Sequence, residues 1–488
     1  MKVTGVSDLR RFFYRNETPI YFISATNFNL LGADEWIKGF KFITYIECFD
    51  GLHPNVMSPM QEEPHEEFQS IEDINNYLLT HSEVRDYINS RKVNGRAGKA
   101  LFLMFDEETE RRAARLGLEV IFPSAKMRTF MDNKVNTNRI AEKAGVPCVP
   151  YVLSPVRHYA HLTAVAATLG TDLVVQTPFG DSGHTTFFIR NEADYAKYAG
   201  EIEAEAECKI MKRINCRGAA MEACVTRHGT LVAPLMTELV GFRELTPYKG
   251  GWCGNEIFAD AFTPSIRRKA RTYARKFGDQ LREEGYKGYF ELDFLIDQDH
   301  GEIYLGELNP RVTGASSITN HAVFAMSDAP LYLFHIMEWM DQPYDLSVTG
   351  LNRRWAKAEN IDSWGQMVIK HTADDLRRVT DAPRSGIWRM REDGSVYFWR
   401  MDTHRRYVER DNEAFFLRIT RVGDWLYEGA DIGIVVMRGR MMTDDFQLTA
   451  RATRWLTAMK GQYRSVVPGA QGAEASAGMP TIGSFKMM

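Results

Sequence analysis

The stretch Gly288-Tyr-Phe-Glu-Leu-Asp293-Phe-Leu-Ile-Asp297-Gln-Asp-His-Gly301-Glu302-Ile-Tyr-Leu-Gly-Glu307-Leu-Asn309-Pro-Arg311 decides how this chain is read. Two apolar runs, Gly288 to Asp297 and Glu302 to Asn309, flank the turn Gln298 to Gly301, so the sequence predicts a β-hairpin. With Asp297 and Glu302 at the turn, Asp293 lies opposite Glu307 or one place off it. Like charges facing across paired strands destabilise them, so acids set among Phe290, Leu292, Phe294, Ile303 and Leu305 call for compensation. A divalent cation supplies it. Asn309 shares the strand face of Glu307 and offers a neutral oxygen, which makes Asp293, Glu307 and Asn309 the candidate metal ligands. Oxygen donors suit Mg²⁺ (or Mn²⁺), which takes few protein ligands and leaves the rest to water and phosphate. Arg311, two residues on, can neutralise charge on a transferred phosphoryl group. The competing reading is a surface hairpin with solvated acids and an arginine that pairs with one of them.

Upstream, Thr263-Pro264 opens a helix that carries Ile266, Ala270, Tyr273, Ala274, Phe277 and Leu281 and closes at Gly285. Lys209 to Ile214, Ala219 to Arg227 and Thr230 to Val240 read as strands. Strand Leu173 to Thr177 runs through the Gly-rich loop Gly180 to Thr186 into Phe187 to Arg190. One helix is expected from Met131 to Ala144, capped by Asp132 and stopped by Gly145 and Pro147, and another from Ser154 to Leu169. Between Pro19 and Ser124, the apolar runs Ile20 to Ser24, Phe42 to Ile46, Ala100 to Phe105 and Leu118 to Phe122 alternate with polar or helical stretches, Asp106 to Gly117 among them. That pattern predicts βα units on a mostly parallel sheet. Beyond Leu351, short strand-like runs between Arg/Asp-rich turns predict a β-rich unit, closed by a helix from Phe446 to Met459.

The 488 residues suggest roughly three domains at about 150 residues each. They divide at 1–125, 126–350 (small lobe about 148–212) and 351–465, with a Gly/Ala/Ser/Pro-rich tail at 466–488. The fold class is mixed α/β and α+β. A net charge of −4 gives no field of one sign, so nucleic acid and anionic lipid are not expected partners. Six cysteines without a CxxC pair suggest neither disulfide framework nor zinc knuckle, and fit a reducing cytoplasm. Met1 to Ile23 interleaves charge with aromatics, unlike a signal peptide, and no run of about 18 apolar residues occurs. A soluble cytoplasmic protein is expected.

Taken together, Met131-Asp-Asn-Lys134 to Pro150, the loop Gly180 to Thr186, Ile210-Met-Lys-Arg-Ile214, and Asp293-Phe294 with Glu307-Leu-Asn-Pro-Arg311 resemble the ATP-grasp superfamily, most closely its biotin-carboxylase-like branch. The resemblance covers about Lys126 to Asp341. It implies a parallel-sheet N-terminal domain followed by two α+β lobes that clasp MgATP. Lys134 would then touch phosphate, the backbone of Met211, Lys212 and Ile214 would meet adenine, and Gly180, Ser182, Gly183, His184 and Thr185 would close over the phosphates. Gln176 and Glu222 count with these nucleotide contacts. Two positions depart from the family pattern. Gln176 stands where a second phosphate-binding lysine is usual, and Met211 where a glutamate often begins the hinge. Lys212, Arg213 or His184 are the candidates to make good the missing cation.

The segment Glu238 to Asn255 concentrates Gly, Arg, Lys and aromatics between a strand and a helix, and long loops of this kind more often carry function than packing. Arg243 and Lys249 are therefore candidates to hold a substrate carboxylate or phosphate, against the alternative of two ordinary surface cations. Gly180-Asp-Ser182-Gly183 also spells a serine-protease neighbourhood, but the mixed fold lacks the all-β setting that reading requires. Ala458-Met459-Lys460 has no carrier domain around it for biotinylation. The resemblance implies an ATP-dependent ligase that activates a carboxylate as an acyl phosphate for attack by an amine. Bicarbonate activation and a degenerate nucleotide-binding module are the alternatives. Small-molecule acids and amines are the expected partners; no motif encodes the oligomeric state, a homodimer being one option.

Overall fold

The computed structural model describes residues 2–61, 68–180, 185–320 and 328–468. In the first unit the apolar runs Ile20–Ser24, Phe40–Thr44, Val56–Met57, Gly98–Phe102 and Leu118–Val120 form a five-stranded, all-parallel sheet with Ile20–Ser24 in the centre. Every residue of that central strand is buried, as expected of a parallel sheet covered on both faces. The expected crossover helix runs Glu107–Arg115. It starts at a capping box between Asp106 and Thr109 and is followed by Gly117 at φ +76°.

The helix expected from Met131 to Ala144 is two helices, Ala125–Asp132 and Lys134–Ala144. The cap is Asn133, not Asp132: Asn133 is extended, and its side chain accepts from the amides of Val135 and Asn136. Asp132 instead lies 3.7 Å from Arg128. The next expected helix shrinks to Tyr159–Val165, capped by His158, whose side chain accepts from the His161 amide, and before it Tyr151–Ser154 pairs as a strand with Cys208–Met211. That strand, Cys208–Lys212, Leu173–Gln176 and Thr186–Ile189 form the four-stranded antiparallel sheet of a small lobe.

The large sheet has eleven strands. From one edge it runs Ile303–Asn309, Gly288–Asp297, Cys216–Thr226, Met236–Val240, Trp252–Ile257 and then Trp364–Lys370, Asp431–Arg438, Glu413–Arg418, Gly386–Met390 and Val396–Arg400, with Gly229–Val232 paired beside Cys216–Thr226. The single strand expected from Thr230 to Val240 is two, with Pro234 in the gap between them. Trp252–Ile257, expected as loop, is a strand whose glycines hid its alternation. Helix Pro264–Glu283 is capped by Thr263 and packs Ile266, Ala270, Ala274, Phe277 and Leu281 inward. Among the described residues no helix is long and apolar enough to cross a membrane, and all six cysteines are free.

Two junctions tie these parts together. The division expected near residue 350 is no break in hydrogen bonding, since Trp252–Ile257 pairs directly with Trp364–Lys370, Gly254 opposite Met367 and Asn255 opposite Gln366. The parallel-sheet unit is joined through a shared apolar core and through His335, which is fully buried. Its Nδ1 accepts from the Tyr289 amide at 3.0 Å, and its Nε2 donates to the Ile121 carbonyl at 2.8 Å. Burial pushes its pKa down to about 3, so the ring is neutral.

Gly254 sits at φ +144°, and a Cβ there would come within 2.0 Å of the Gln366 carbonyl. Gly254→Ala should therefore destabilise the protein by about 1–3 kcal/mol from backbone strain alone. Gly200→Ala, in open space on the helix Ala199–Glu203, should be neutral or slightly stabilising; urea unfolding of the two variants checks both.

Candidate functional site

The hairpin register matches the sequence reading: Asp293 faces Glu307, and Glu291 faces Asn309. An irregularity between Asp293 and Phe294 then shifts the pairing, leaving Phe294 opposite Leu305. Across the next strand, Glu222 is paired with Glu291 and Ala220 with Asp293. A further acid, Glu238, arrives from the strand beyond. Its carboxylate lies over Gly218, where a Cβ would approach Oε2 to 2.3 Å, and it feels the charges of Asp293 and Glu307. Glycine at 218 is what leaves room for it.

Gathering these acids has an electrostatic consequence. Burial, then repulsion from Glu307, pushes the Asp293 carboxyl up to about 7. Glu291 and Glu238 are also raised well above the ordinary range, in both cases by burial first and by neighbouring acids second. Asn309 relieves part of this by donating its amide to Asp293 at 3.0 Å and to Glu291 at 3.3 Å. Lys134, buried at the start of its helix, lies 3.3 Å from Glu307 Oε1 and donates to the Gly180 carbonyl at 2.7 Å. It thus links the acid hairpin to the Gly-rich loop. The Arg311 guanidinium is half-buried beside the acids, its Nε without a hydrogen-bond partner among the described residues.

Among the described residues no three His, Cys, Asp or Glu side chains converge into a metal cage. Asp293, Glu307 and Asn309 still fit a cation such as Mg²⁺, which binds through one or two carboxylates and completes its shell with water and phosphate. For Asn309 to present oxygen, its amide would turn over and exchange its two donated bonds for ligation.

A cavity of about 330 Å³ opens beside these groups. Glu238, Asp293, Glu307 and Arg311 line its polar side, Trp252 and Val312 part of its apolar side, and Ile71, Leu103 and Met104 close it from the parallel-sheet unit. Lys370 reaches it from the strand beyond residue 350, already paired with Asp431.

The small lobe presents a graded face to the hairpin. Val174 and Met211 face each other and pack with Val149, Tyr151, Ile214, Leu295 and Tyr304. Two pairs further along, on the same face, Gln176 faces Lys209, whose Nζ donates to the Gly306 carbonyl at 3.0 Å. Burial draws the Lys209 ammonium below the usual lysine range, while Cys148 and Glu307 favour its charge. Gln176 donates to Thr186 Oγ1 at 3.0 Å and leaves Oε1 unpaired among the described residues. Gly180, at φ +138°, packs so closely on Thr185 that a Cβ would meet Oγ1 at 2.2 Å.

Several expected residues stand elsewhere. Arg243 and Lys249 are exposed and do not line the cavity, because their segment turns its small and aromatic residues, Gly250 and Trp252, inward. Glu222 is fully buried behind the site, held by the hydroxyls of Tyr289, Thr313 and Ser316, and does not line the cavity. The amides of Lys212 and Arg213 donate to Pro150 and Asp172 at 3.0 Å each, while the side chains of Met211 and Ile214 pack in the apolar cluster. Lys212 is exposed, and Arg213 lies over Phe188 and 3.6 Å from Asp172; neither replaces a cation at Gln176. Ser182, Gly183 and His184 lie outside the described residues. Sequence reasoning missed Glu238, Glu291, Lys209 and Lys370. Glu291 was within reach, being two residues before Asp293 and on the same face.

No family model matches the chain. In sequence it is similar to biotin carboxylase of Haemophilus influenzae, 23% identical over 228 residues that make up 45% of this chain and 48% of that protein. It is also similar to D-alanine–D-alanine ligase of Carboxydothermus hydrogenoformans, 23% identical over 193 residues, 38% of this chain and 61% of that protein. These matches span about half the length of the two relatives. In structure the chain resembles biotin carboxylase from Campylobacter jejuni, solved as a β,γ-ATP complex, with a TM-score of 0.62 at 14% identity over 92% of both chains. It also resembles an N5-carboxyaminoimidazole ribonucleotide synthetase solved with ADP, with a TM-score of 0.54 at 16% identity over 91% of this chain and 98% of that one.

Glu222 is likewise pushed up to about 7, by burial against the opposing pull of its hydroxyl partners. Unfolded, Glu222 and Asp293 lose their protons near pH 4; folded, they keep them to about pH 7. Between those values the folded chain binds more protons than the unfolded one, so metal-free stability should fall as pH rises from about 4 to about 7. Urea midpoints at pH 5 and pH 8 should show that fall, and it should be smaller in Glu222→Gln.

Proposed function

From the premise that the chain belongs to the ATP-grasp superfamily, in its biotin-carboxylase-like branch, we propose that it is an ATP-dependent ligase joining a carboxylate to an amine. The observation that carries this reading is the meeting of Lys134, Asp293, Glu307, Asn309 and Arg311 at one end of a cleft whose other end is apolar. Adenine belongs at the apolar end, against Val174, Met211, Ile214 and Leu295. The phosphates belong at the polar end, under Lys134 and the loop that begins at Gly180.

Asp293, Glu307 and Asn309 would hold a magnesium ion, which neutralises phosphate charge when bound. Arg311 orients the acid substrate in the cavity and offsets charge on the phosphoryl group as a carboxylate oxygen attacks it and ADP leaves. The amine then attacks the acyl carbon, gives up a proton, and expels phosphate. Glu238 would hold that amine as its ammonium and take from it the proton it must lose before it attacks, for it faces the cavity and pairs with no cation among the described residues. The cavity walls from the parallel-sheet unit keep water from the acyl phosphate.

ADP release measured across amino acids and small carboxylic acids, singly and in pairs, with bicarbonate plus biotin as a separate arm, tests the reading. An acid–amine pair should stimulate release. Bound MgATP with no stimulation by any acid would sink it, and stimulation by bicarbonate plus biotin alone would move it to carboxylation. Glu307→Gln should lower turnover by about 100-fold or more while the protein stays folded. Arg311→Lys should also lose most turnover, because an ammonium cannot reproduce a two-pronged contact; steady-state kinetics with circular dichroism as the folding control checks both variants.

A further inference from the structure

Lys209 has no part in the chemistry above, and its surroundings give it one. It is 1% exposed, on a small-lobe strand otherwise used for packing. Directly paired residues of antiparallel strands share a face, so Thr186, Gln176 and Lys209 form one row across the small lobe. That row faces the acid hairpin, since Lys209 reaches across the cleft to the Gly306 carbonyl at 3.0 Å, next to Glu307. An ammonium has three donors. Among the described residues one carbonyl takes one of them, and no carboxylate lies within 4.0 Å to form an ion pair. A buried charge held so thinly is costly unless an anion joins it.

From the other lobe Lys134 comes to the same place, 3.3 Å from Glu307 Oε1. Lys209 is near enough to feel the charges of both Glu307 and Lys134. Two cations from separate elements therefore flank one point at the polar end of the cleft. Gln176 cannot add a third: its amide is neutral, and one of its two N–H donors goes to Thr186.

We propose that Lys209 is a phosphate-binding cation of the nucleotide site, supplying from its own strand the charge that Gln176 does not carry on the neighbouring one. The ligand class is a nucleoside polyphosphate, and the proposal rests on the nucleotide reading given above. Lys209 binds the phosphate chain from the small-lobe side while Lys134 binds it from the hairpin side, so the two close on it as the lobes meet. A peg that merely joined the lobes through Gly306 would not distinguish nucleotides by their phosphates.

Calorimetric titration of the full chain with MgATP, MgADP and adenosine separates these roles. Lys209→Met should weaken MgATP and MgADP by about tenfold or more, with adenosine changed by less than about twofold. Lys209→Arg should retain part of the affinity. The swap Gln176→Lys with Lys209→Gln returns an ammonium to the same row, and should recover most of what Lys209→Gln alone loses. Equal losses for adenosine and the nucleotides, no loss for any of them, or a swap as weak as the single variant would overturn the proposal. Should Lys209→Met fail to fold, the swap and the Lys209→Arg variant decide. If the wild-type chain binds no MgATP, the nucleotide reading falls and takes this proposal with it; if it binds and Lys209→Met binds equally well, only Lys209 is excluded.

Discussion

The repulsion between Asp293 and Glu307, set opposite each other in an apolar hairpin, is the constraint around which the molecule is arranged. Strands of that composition would pair more comfortably without the acids. Their charge is met from several directions: by Lys134 at the start of a helix, by the Asn309 amide on the strand itself, and by Arg311 just past its end. Each counter-group comes from a different local structure, so the electrostatics of one hairpin fix how the linker helices and the strand end must meet. The same imbalance makes the place receptive to a cation and to the anion that travels with it.

The cleft is also sorted by polarity along its length. Strand alternation puts Val174 and Gln176 on one face of one strand, and Met211 and Lys209 on the matching face of its neighbour. A step of two residues therefore changes the lining from aliphatic to charged. A flat apolar ring joined to a charged chain is the shape such a gradient suits, and nothing beyond the period of a β-strand is needed to build it.

How much of this was legible in the sequence depended on the range of the interaction concerned. The hairpin was readable because the turn fixes its register locally, and Asp293 and Glu307 stand where counting from Asp297 and Glu302 puts them. The parallel sheet was readable from its apolar runs. Lys209 was not, because a lysine in a strand looks solvent-facing until one knows which neighbouring lobe covers that face. Arg243 and Lys249 show the converse: their segment does border the cavity, but through Gly250 and Trp252. Glycine hid a strand as well. Gly251 and Gly254 masked the strand Trp252–Ile257, and with it the joint that carries the large sheet past residue 350. Asp132 and Asn133 were both plausible caps, and only the extended backbone at Asn133 separates them.

The imidazole between the parallel-sheet unit and the hairpin behaves unlike the acid row it adjoins. With Nδ1 accepting from Tyr289 and Nε2 donating to Ile121, His335 is locked in one tautomer and stays uncharged down to about pH 3. This one contact between the two units is therefore indifferent to acidity over the range in which Asp293 and Glu222 change state. Mild acid will discharge the acid row while leaving this fastening unchanged, so loss of charge at the cleft and loss of shape should part company on the acid side.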